Sequence, residues 1–298
     1  MVVALALNAG ARWAVALGVA FAPNVWRLGP PSQAFELPAD LAARGRRLET
    51  QVGPPQATLV SWLLEPSAQP ARGSIVLLHG VRQDRRSLLG AGQAFADAGY
   101  RSILVDLRGH GESSGTFLTY GAVETHDLSQ LLDGLSSAGV ELGPVGVYGF
   151  SYGAAVAIDL GARDRRVAAV VAVAPFASLR AVLADYRTQY LPAPLNRIPD
   201  SWFDLALGDA SWLASFDPEQ SSPLRSIASS TTHQLLIHGT ADTQVPLRHS
   251  QALFDVAGPL AELLAIPGAT HHSLPNQVIQ QRALDWFARW LGPERSQL

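Results

Sequence analysis

Residues 144–159 read Pro144-Val145-Gly146-Val147-Tyr148-Gly149-Phe150-Ser151-Tyr152-Gly153-Ala154-Ala155-Val156-Ala157-Ile158-Asp159. The apolar run Val145, Val147, Tyr148 has the character of a buried parallel strand, and Ala154 to Ile158 that of a helix. A strand that becomes a helix within five residues must turn a tight, strained corner. Glycines at 149 and 153 remove the Cβ atoms that would clash there. The apex residue, Ser151, then presents its hydroxyl above the carboxyl end of the sheet. The next backbone N–H is free to donate, because the first N–H groups of a helix have no internal acceptor. A serine in an ordinary glycine turn produces the same G-x-S-x-G pattern, so the pattern alone is weak. The strand before it, the helix after it and the partners further along the chain make Ser151 a candidate nucleophile.

The 298-residue chain is long for one domain, yet α/β folds of this size often form one. Apolar residues make up 48% and charged residues 16%, which supports a sizeable core. A net charge of −3 offers no basic footprint for nucleic acid. The absence of cysteine excludes disulfides, thiolate catalysis and cysteine metal sites. All 22 basic residues are arginine, which excludes lysine bases and Schiff bases.

Residues 1–28 form an apolar N-terminal segment. Met1 to Ala22 is interrupted only by Asn8 and Arg12, and is expected to be a membrane anchor or export segment, with a helix packed on its own domain as the alternative. This favours a membrane-associated or exported protein over a cytoplasmic one. Gly29-Pro30-Pro31 opens an irregular stretch.

A first core part, 29–176, carries strands at Leu59–Leu64, Ser74–Leu78 and Ile103–Val105 and helices at Ser87–Ala98 and Glu124–Leu135. Val167–Val173 is a continuous apolar run typical of a central parallel strand. A second core part, 233–298, adds strands at Leu235–Ile237 and Leu263–Ile266 and helices at Leu247–Val256 and Val278–Leu291. This alternation predicts an α/β fold with a mostly parallel sheet flanked by helices. Residues 177–232 break it. The segment is too long for a connection and rich in aromatics (Tyr186, Tyr190, Trp202, Phe203, Trp212, Phe216), and is expected to form a small helical cap. Trp202, Phe203 and Trp212 are its candidate pocket residues.

A serine needs a base to take its proton and a third group to orient that base. Asp242 lies in the loop after Ile237, and His271-His272 in the loop after Ile266. The order serine, aspartate, histidine is one that such sites use. Asp242 is the candidate acid, with Asp106, in a polar glycine-rich loop, a lesser one. His271 is preferred to His272 as the base. Neither histidine has further ligands at metal spacing, so no metal or other cofactor is expected. Oxyanion donors are expected at the backbone N–H of Tyr152 and of Val81, after His79-Gly80; His79 itself is expected to pack in its loop.

Together these residues resemble the α/β-hydrolase superfamily, and within it the Bem46-like serine hydrolases and S33-type lipases and peptidases. The matching pieces are H-G-V-R at 79–82, D-L-R-G-H-G-E-S at 106–113, T-Y-G-A-V-E-T-H-D-L at 119–128, G-F-S-Y-G at 149–153, H-G-T-A-D-T-Q-V-P at 238–246 and G-A-T-H-H at 268–272. The resemblance implies a nucleophile at Ser151, an acid at Asp242, a base at His271 and oxyanion donors at Val81 and Tyr152. Bem46-like proteins often carry an N-terminal membrane segment, which fits possible membrane association through residues 1–22. Thr270 departs from the glycine that commonly precedes the catalytic histidine.

The expectation is a carboxylic ester hydrolase working through an acyl-enzyme on a small-molecule ester with a small to medium apolar acyl group. An amidase, peptidase or thioesterase with the same triad is the alternative within enzymes. A non-catalytic binding protein on a hydrolase fold is the alternative outside them.

Overall fold

Short β-branched runs that are buried on both faces build the centre of the molecule. In the computed structural model, which describes residues 2–26, 35–190, 198–274 and 276–292, helix α1 (Val2–Ala20) comes first, then the short α2 (Ala39–Ala42). Strands β1 (Gly45–Val52), β2 (Ala57–Leu64) and β3 (Ser74–Leu78) follow, then α3 (Leu89–Asp97), β4 (Arg101–Val105) and α4 (Glu124–Ser137). Next are β5 (Val145–Phe150), α5 (Tyr152–Arg163) and β6 (Val167–Val173). Helices α6 (Leu179–Tyr190), α7 (Asp200–Ala214) and α8 (Pro223–Ser229) lead to β7 (His233–Gly239), α9 (Arg248–Ala257), β8 (Ala261–Ile266) and α10 (Gln277–Trp290).

The strands form one eight-stranded sheet in the order β1-β2-β4-β3-β5-β6-β7-β8. β2 runs antiparallel to β1 and β4, and every other neighbour is parallel. The fold is therefore the expected α/β-hydrolase arrangement, a mostly parallel sheet flanked by helices. Strands β3, β4 and β5 are wholly buried, as strands covered on both faces must be. One core packs α4, α5, α8 and α9 with Val76, Leu78, Val147 and Val170; the other packs α3 and α10 with Ile75, Leu77, Tyr148 and Val171.

The sequence places no strand at 45–52, where the structure has β1. Its composition, Gly-Arg-Arg-Leu-Glu-Thr-Gln-Val, carries weak alternation because it is a largely solvent-facing edge strand with only Val52 buried. Pairing with β2 along its whole length supplies what local composition lacks.

Among the described residues, helices α6, α7 and α8 occupy the insertion between β6 and β7. α7 packs on α1 and against α6, whereas α8 packs on α5 and α9. The segment 177–232, expected to form a cap, thus includes one helix packed on α5 and α9. A buried pair anchors the segment: His249 Nε2–H donates to Asp185 Oδ2 of α6 at 2.7 Å, and His249 Nδ1 accepts from the Ala177 N–H at 3.2 Å.

The end of the N-terminal segment is embedded in the molecule. Ala16, Ala20 and Ala22 are fully buried, Ala22 N–H donates to Thr116 O at 2.9 Å, and Asn24 Nδ2 donates to Ser113 O at 2.9 Å. α1 packs along α7, with Arg12 paired to Asp209 at 2.6 Å and Trp13 edge-on to Trp212. Among the described residues, no helix is long and apolar enough to cross a membrane. The expected segment boundary at residue 28 lies outside the described residues.

Candidate active site

The corner after β5 is as tight as its glycines imply. Ser151 sits at φ 53° and ψ −113°, a left-handed conformation rare outside glycine, as the first-turn cap of α5. Its N–H is tied to Val173 O at 2.8 Å. A Cβ at Gly149 would run into Gly153 O, and one at Gly153 into Leu78 O. Those contacts press the 78–80 turn against the corner.

The structure brings three of the predicted residues together. His271 Nε2 lies 3.0 Å from Ser151 Oγ, and His271 Nδ1 lies 2.6 Å from Asp242 Oδ2. With Nδ1–H donating to the carboxylate, Nε2 is left as the acceptor facing the hydroxyl. All three are buried to within a few per cent, yet Ser151 and His271 each keep 6% of their surface open. The His271 ring packs against Phe150 at 5.1 Å.

Burial works against charge on Asp242. Hydrogen bonding to His238, then to His271, with the Val245 N–H, outweighs it and holds the carboxyl well below the usual range. Asp242 Oδ1 accepts from the N–H groups of Gln244 and Val245 at 3.0 and 2.9 Å. His272 points elsewhere: it is exposed, with Nε2 3.0 Å from the Gln244 amide nitrogen. Thr270 holds φ −96° and caps the short turn His271–Ser273, its N–H bonded to Ser273 Oγ at 2.8 Å. That backbone needs no glycine, so the departure at 270 leaves the loop intact.

Among the described residues, neither the Val81 N–H nor the Tyr152 N–H donates a hydrogen bond. Two N–H groups without a described acceptor are therefore present, one on the 79–81 turn and one at the start of α5, directly after Ser151. His79 is fully buried with both nitrogens used: Nδ1–H donates to Gly80 O at 2.8 Å and Nε2 accepts the Leu107 N–H at 3.1 Å. Burial lowers its pKa to about 4, so it stays neutral. Asp106 is engaged away from the serine. It pairs with Arg85 and accepts the Arg85 and Glu112 N–H groups at 2.7 and 2.8 Å.

The three aromatic pocket candidates separate. Trp202 and Phe203 pack edge to face at 5.0 Å near the start of α7. Trp212 is 74% exposed on the α1 side of α7. The sequence reading assigned no role to two residues in this region. His238, near the end of β7, stands 3.5 Å from Asp242 in the loop that follows, and their four-residue spacing is visible in the chain. Glu124, buried at the start of α4, meets Tyr152 across 28 residues, for which the sequence carries no local signal.

A family model described as the alpha/beta hydrolase family matches residues 75–290. Of the curated proteins, the uncharacterized protein YqkD of Bacillus subtilis (strain 168) is 29% identical over 201 residues. That match covers 65% of this chain and 64% of YqkD, so the chain spans less than two thirds of that relative. The monoacylglycerol lipase of Mycolicibacterium smegmatis is 26% identical over 259 residues, 76% of this chain and 90% of the lipase. Of the solved structures, the Pyrococcus furiosus esterase Pf2001 is similar at a TM-score of 0.69 and 24% identity, covering 89% of this chain and 100% of the esterase. A thermophilic esterase from Thermogutta terrifontis is similar at a TM-score of 0.59 and 20% identity, covering 82% and 98%. These two likenesses concern the fold.

Proposed function

The chain belongs to the alpha/beta hydrolase family, and on that premise we propose that it is a serine hydrolase cleaving carboxylic esters through an acyl-enzyme. The observation that carries this reading is the relay Ser151 Oγ, His271 Nε2, His271 Nδ1, Asp242 Oδ2, spaced at 3.0 and 2.6 Å.

In the proposed reaction, Ser151 Oγ attacks the ester carbonyl carbon while His271 Nε2 takes its proton. The imidazolium that forms is stabilised by Asp242, whose ionised state the surrounding donors favour. Negative charge develops on the former carbonyl oxygen and is met by the N–H groups of Tyr152 and Val81. Such donors are already oriented before the reaction, and each is worth on the order of 100-fold or more in rate. The intermediate collapses as His271 returns the proton to the departing alcohol oxygen. A water then repeats the sequence against the acyl-serine and frees the acid.

The substrate is proposed to be a neutral ester with a small to medium apolar acyl group. Support comes from the aromatic segment 177–232 and from the esterase and lipase names of the similar proteins.

The test is hydrolysis of p-nitrophenyl esters from acetate to palmitate by the wild type and by Ser151→Ala. Activity should appear on the shorter chains and fall by several orders of magnitude in the variant. A wild type silent on the whole panel removes the ester reading. Activity on p-nitroanilides instead would put an amidase in its place.

A further inference from the structure

One buried carboxylate plays no part in the proposed relay. Glu124, the first residue of α4, is fully buried and accepts four hydrogen bonds. Oε1 takes the Thr119 N–H and the Tyr152 phenol, both at 2.9 Å. Oε2 takes the Thr119 hydroxyl at 2.5 Å and the Gly121 N–H at 2.8 Å.

Tyr152 is the residue directly after Ser151, and its main-chain N–H is the proposed oxyanion donor. Its side chain is buried, its ring 5.6 Å from the His110 ring and 5.8 Å, edge-on, from the Tyr120 ring. Burial, and then the neighbouring Glu124 charge, push the phenol pKa well above 10. The phenol therefore stays protonated and acts as a donor to Glu124.

A buried acid is an expensive choice where a packed apolar residue would serve stability as well or better. What the acid adds here is direction. It fixes the phenol from one side, and through the side chain it fixes the Ser151–Tyr152 peptide. The loop that shapes the acid's cradle is strained at Tyr120, at φ 54°, and turns next at Gly121, whose φ of 115° a residue without Cβ adopts freely. That loop has its own attachments: the Tyr120 hydroxyl donates to Val19 O at 2.9 Å, and the Ser221 hydroxyl to Thr119 O at 2.5 Å. Loss of the phenol contact therefore leaves the loop anchored.

We propose that Glu124 is a positioning residue for ester hydrolysis, acting through the Tyr152 phenol to hold the oxyanion-facing N–H in register. This rests on the serine-hydrolase reading. No covalent step involves Glu124; its effect is on the geometry of one hydrogen bond that strengthens as charge develops.

The test compares wild type, Tyr152→Phe, Glu124→Leu, Glu124→Gln and the Tyr152→Phe/Glu124→Leu double variant, with Ser151→Ala as the baseline. The readouts are kcat and KM on p-nitrophenyl butyrate, inhibition by butaneboronic acid, which forms a tetrahedral adduct on serine, and Tm. Tyr152→Phe should lower kcat about 10-fold with KM within about twofold, the scale on which small misplacements act. Boronate affinity should weaken in step with kcat. Glu124→Gln, which keeps an oxygen for the phenol, should retain more activity than Glu124→Leu. The double variant should be no slower than Glu124→Leu alone, because both changes cut one contact. Wild-type kcat and boronate affinity in Tyr152→Phe overturn the proposal even if Glu124→Leu fails to fold. Equal activity of wild type and Ser151→Ala removes the hydrolase reading, and the proposal falls with it.

Discussion

His238 Nε2 stands 3.5 Å from Asp242 Oδ2, the same oxygen that meets His271 Nδ1 at 2.6 Å. The carboxylate is thus bracketed by two imidazoles, only one of which reaches the serine. His238 is fully buried, with Nε2 2.6 Å from Val245 O and Nδ1 2.6 Å from Ser250 Oγ, so it ties the acid's loop to α9.

Two outcomes are expected at this carboxylate. Asp242→Asn should reduce kcat by about 10⁴, the cost of losing the orienting charge. His238→Ala should cost about 10-fold, through a loosened acid loop. Because Asp242 is held below the usual carboxylate range, its protonation should produce no limb in kcat/KM between pH 4 and pH 9 in wild type. Steady-state kinetics of the two variants, with a pH series on wild type, check all three.

Gly153→Ala should be damaging out of proportion to its single methyl group. The new Cβ would meet the main-chain oxygens of Leu78 and His79, which have no room to withdraw from the centre of the sheet. About 3 kcal/mol of lost stability is expected, at the upper end for overpacking, together with most of the proposed ester-hydrolysing activity. Urea denaturation and p-nitrophenyl acetate turnover measure the two losses. A fully stable, fully active variant would show that the corner is looser than its contacts imply.

Arg85 should prove important to stability and irrelevant to chemistry. It is wholly buried, pairs with Asp106 and Glu112, and lies 4.4 Å over the Trp62 ring. Arg85→Met would leave the buried Asp106 without its paired cation and Glu112 with Arg47 alone, at 3.4 Å, at a cost of about 3–5 kcal/mol. Its folded fraction should keep a normal KM, which active-site titration with a fluorophosphonate separates from loss of protein.

Asp159 should make stability depend on pH with the sign of a protonated acid. It is fully buried in α5, and neither oxygen meets a described donor at hydrogen-bonding geometry. Burial raises its pKa to about 7; nearby Ser226 and Arg163 oppose the rise and Glu124 adds to it. The native carboxyl keeps its proton up to about pH 7, whereas the unfolded chain releases it near 4. The native state binds the extra proton in that window, so stability falls as pH rises, by about 1.4 kcal/mol per unit. Asp159→Asn should match wild-type Tm at pH 4.5 and exceed it at pH 8. The neutral His79, whose contribution runs the opposite way, is common to both proteins and cancels. Parallel Tm curves would show that Asp159 is ionised in the fold.

The aromatic residues of α7 should separate by position. Trp202→Ala and Phe203→Ala are expected to shift the preferred acyl length, while Trp212→Ala, mostly exposed against Trp13, should leave kcat/KM within about twofold across the ester series. A larger change in Trp212→Ala would mean that the α1–α7 contact shapes the pocket.

Much of this protein was determined by sequence alone, because the determinants are local. Gly149 and Gly153 specify a corner that only residues without Cβ allow, and a two-sided apolar run such as Val167–Val173 can only be a covered strand. The chain order of Ser151, Asp242 and His271 follows from strand ends that periodicity locates. Distant contacts decided the rest. His271 and His272 are adjacent and chemically identical, and only the packing of their turn sends one to Ser151 and the other to Gln244. β1 is a strand because β2 lies beside it, not because of its own residues. Trp212 faces outward and α1 lies along α7 because two helices far apart in sequence chose each other's faces. Glu124 matters to Tyr152 only once α4 and α5 are side by side, since a buried carboxylate is defined by the donors that fold around it.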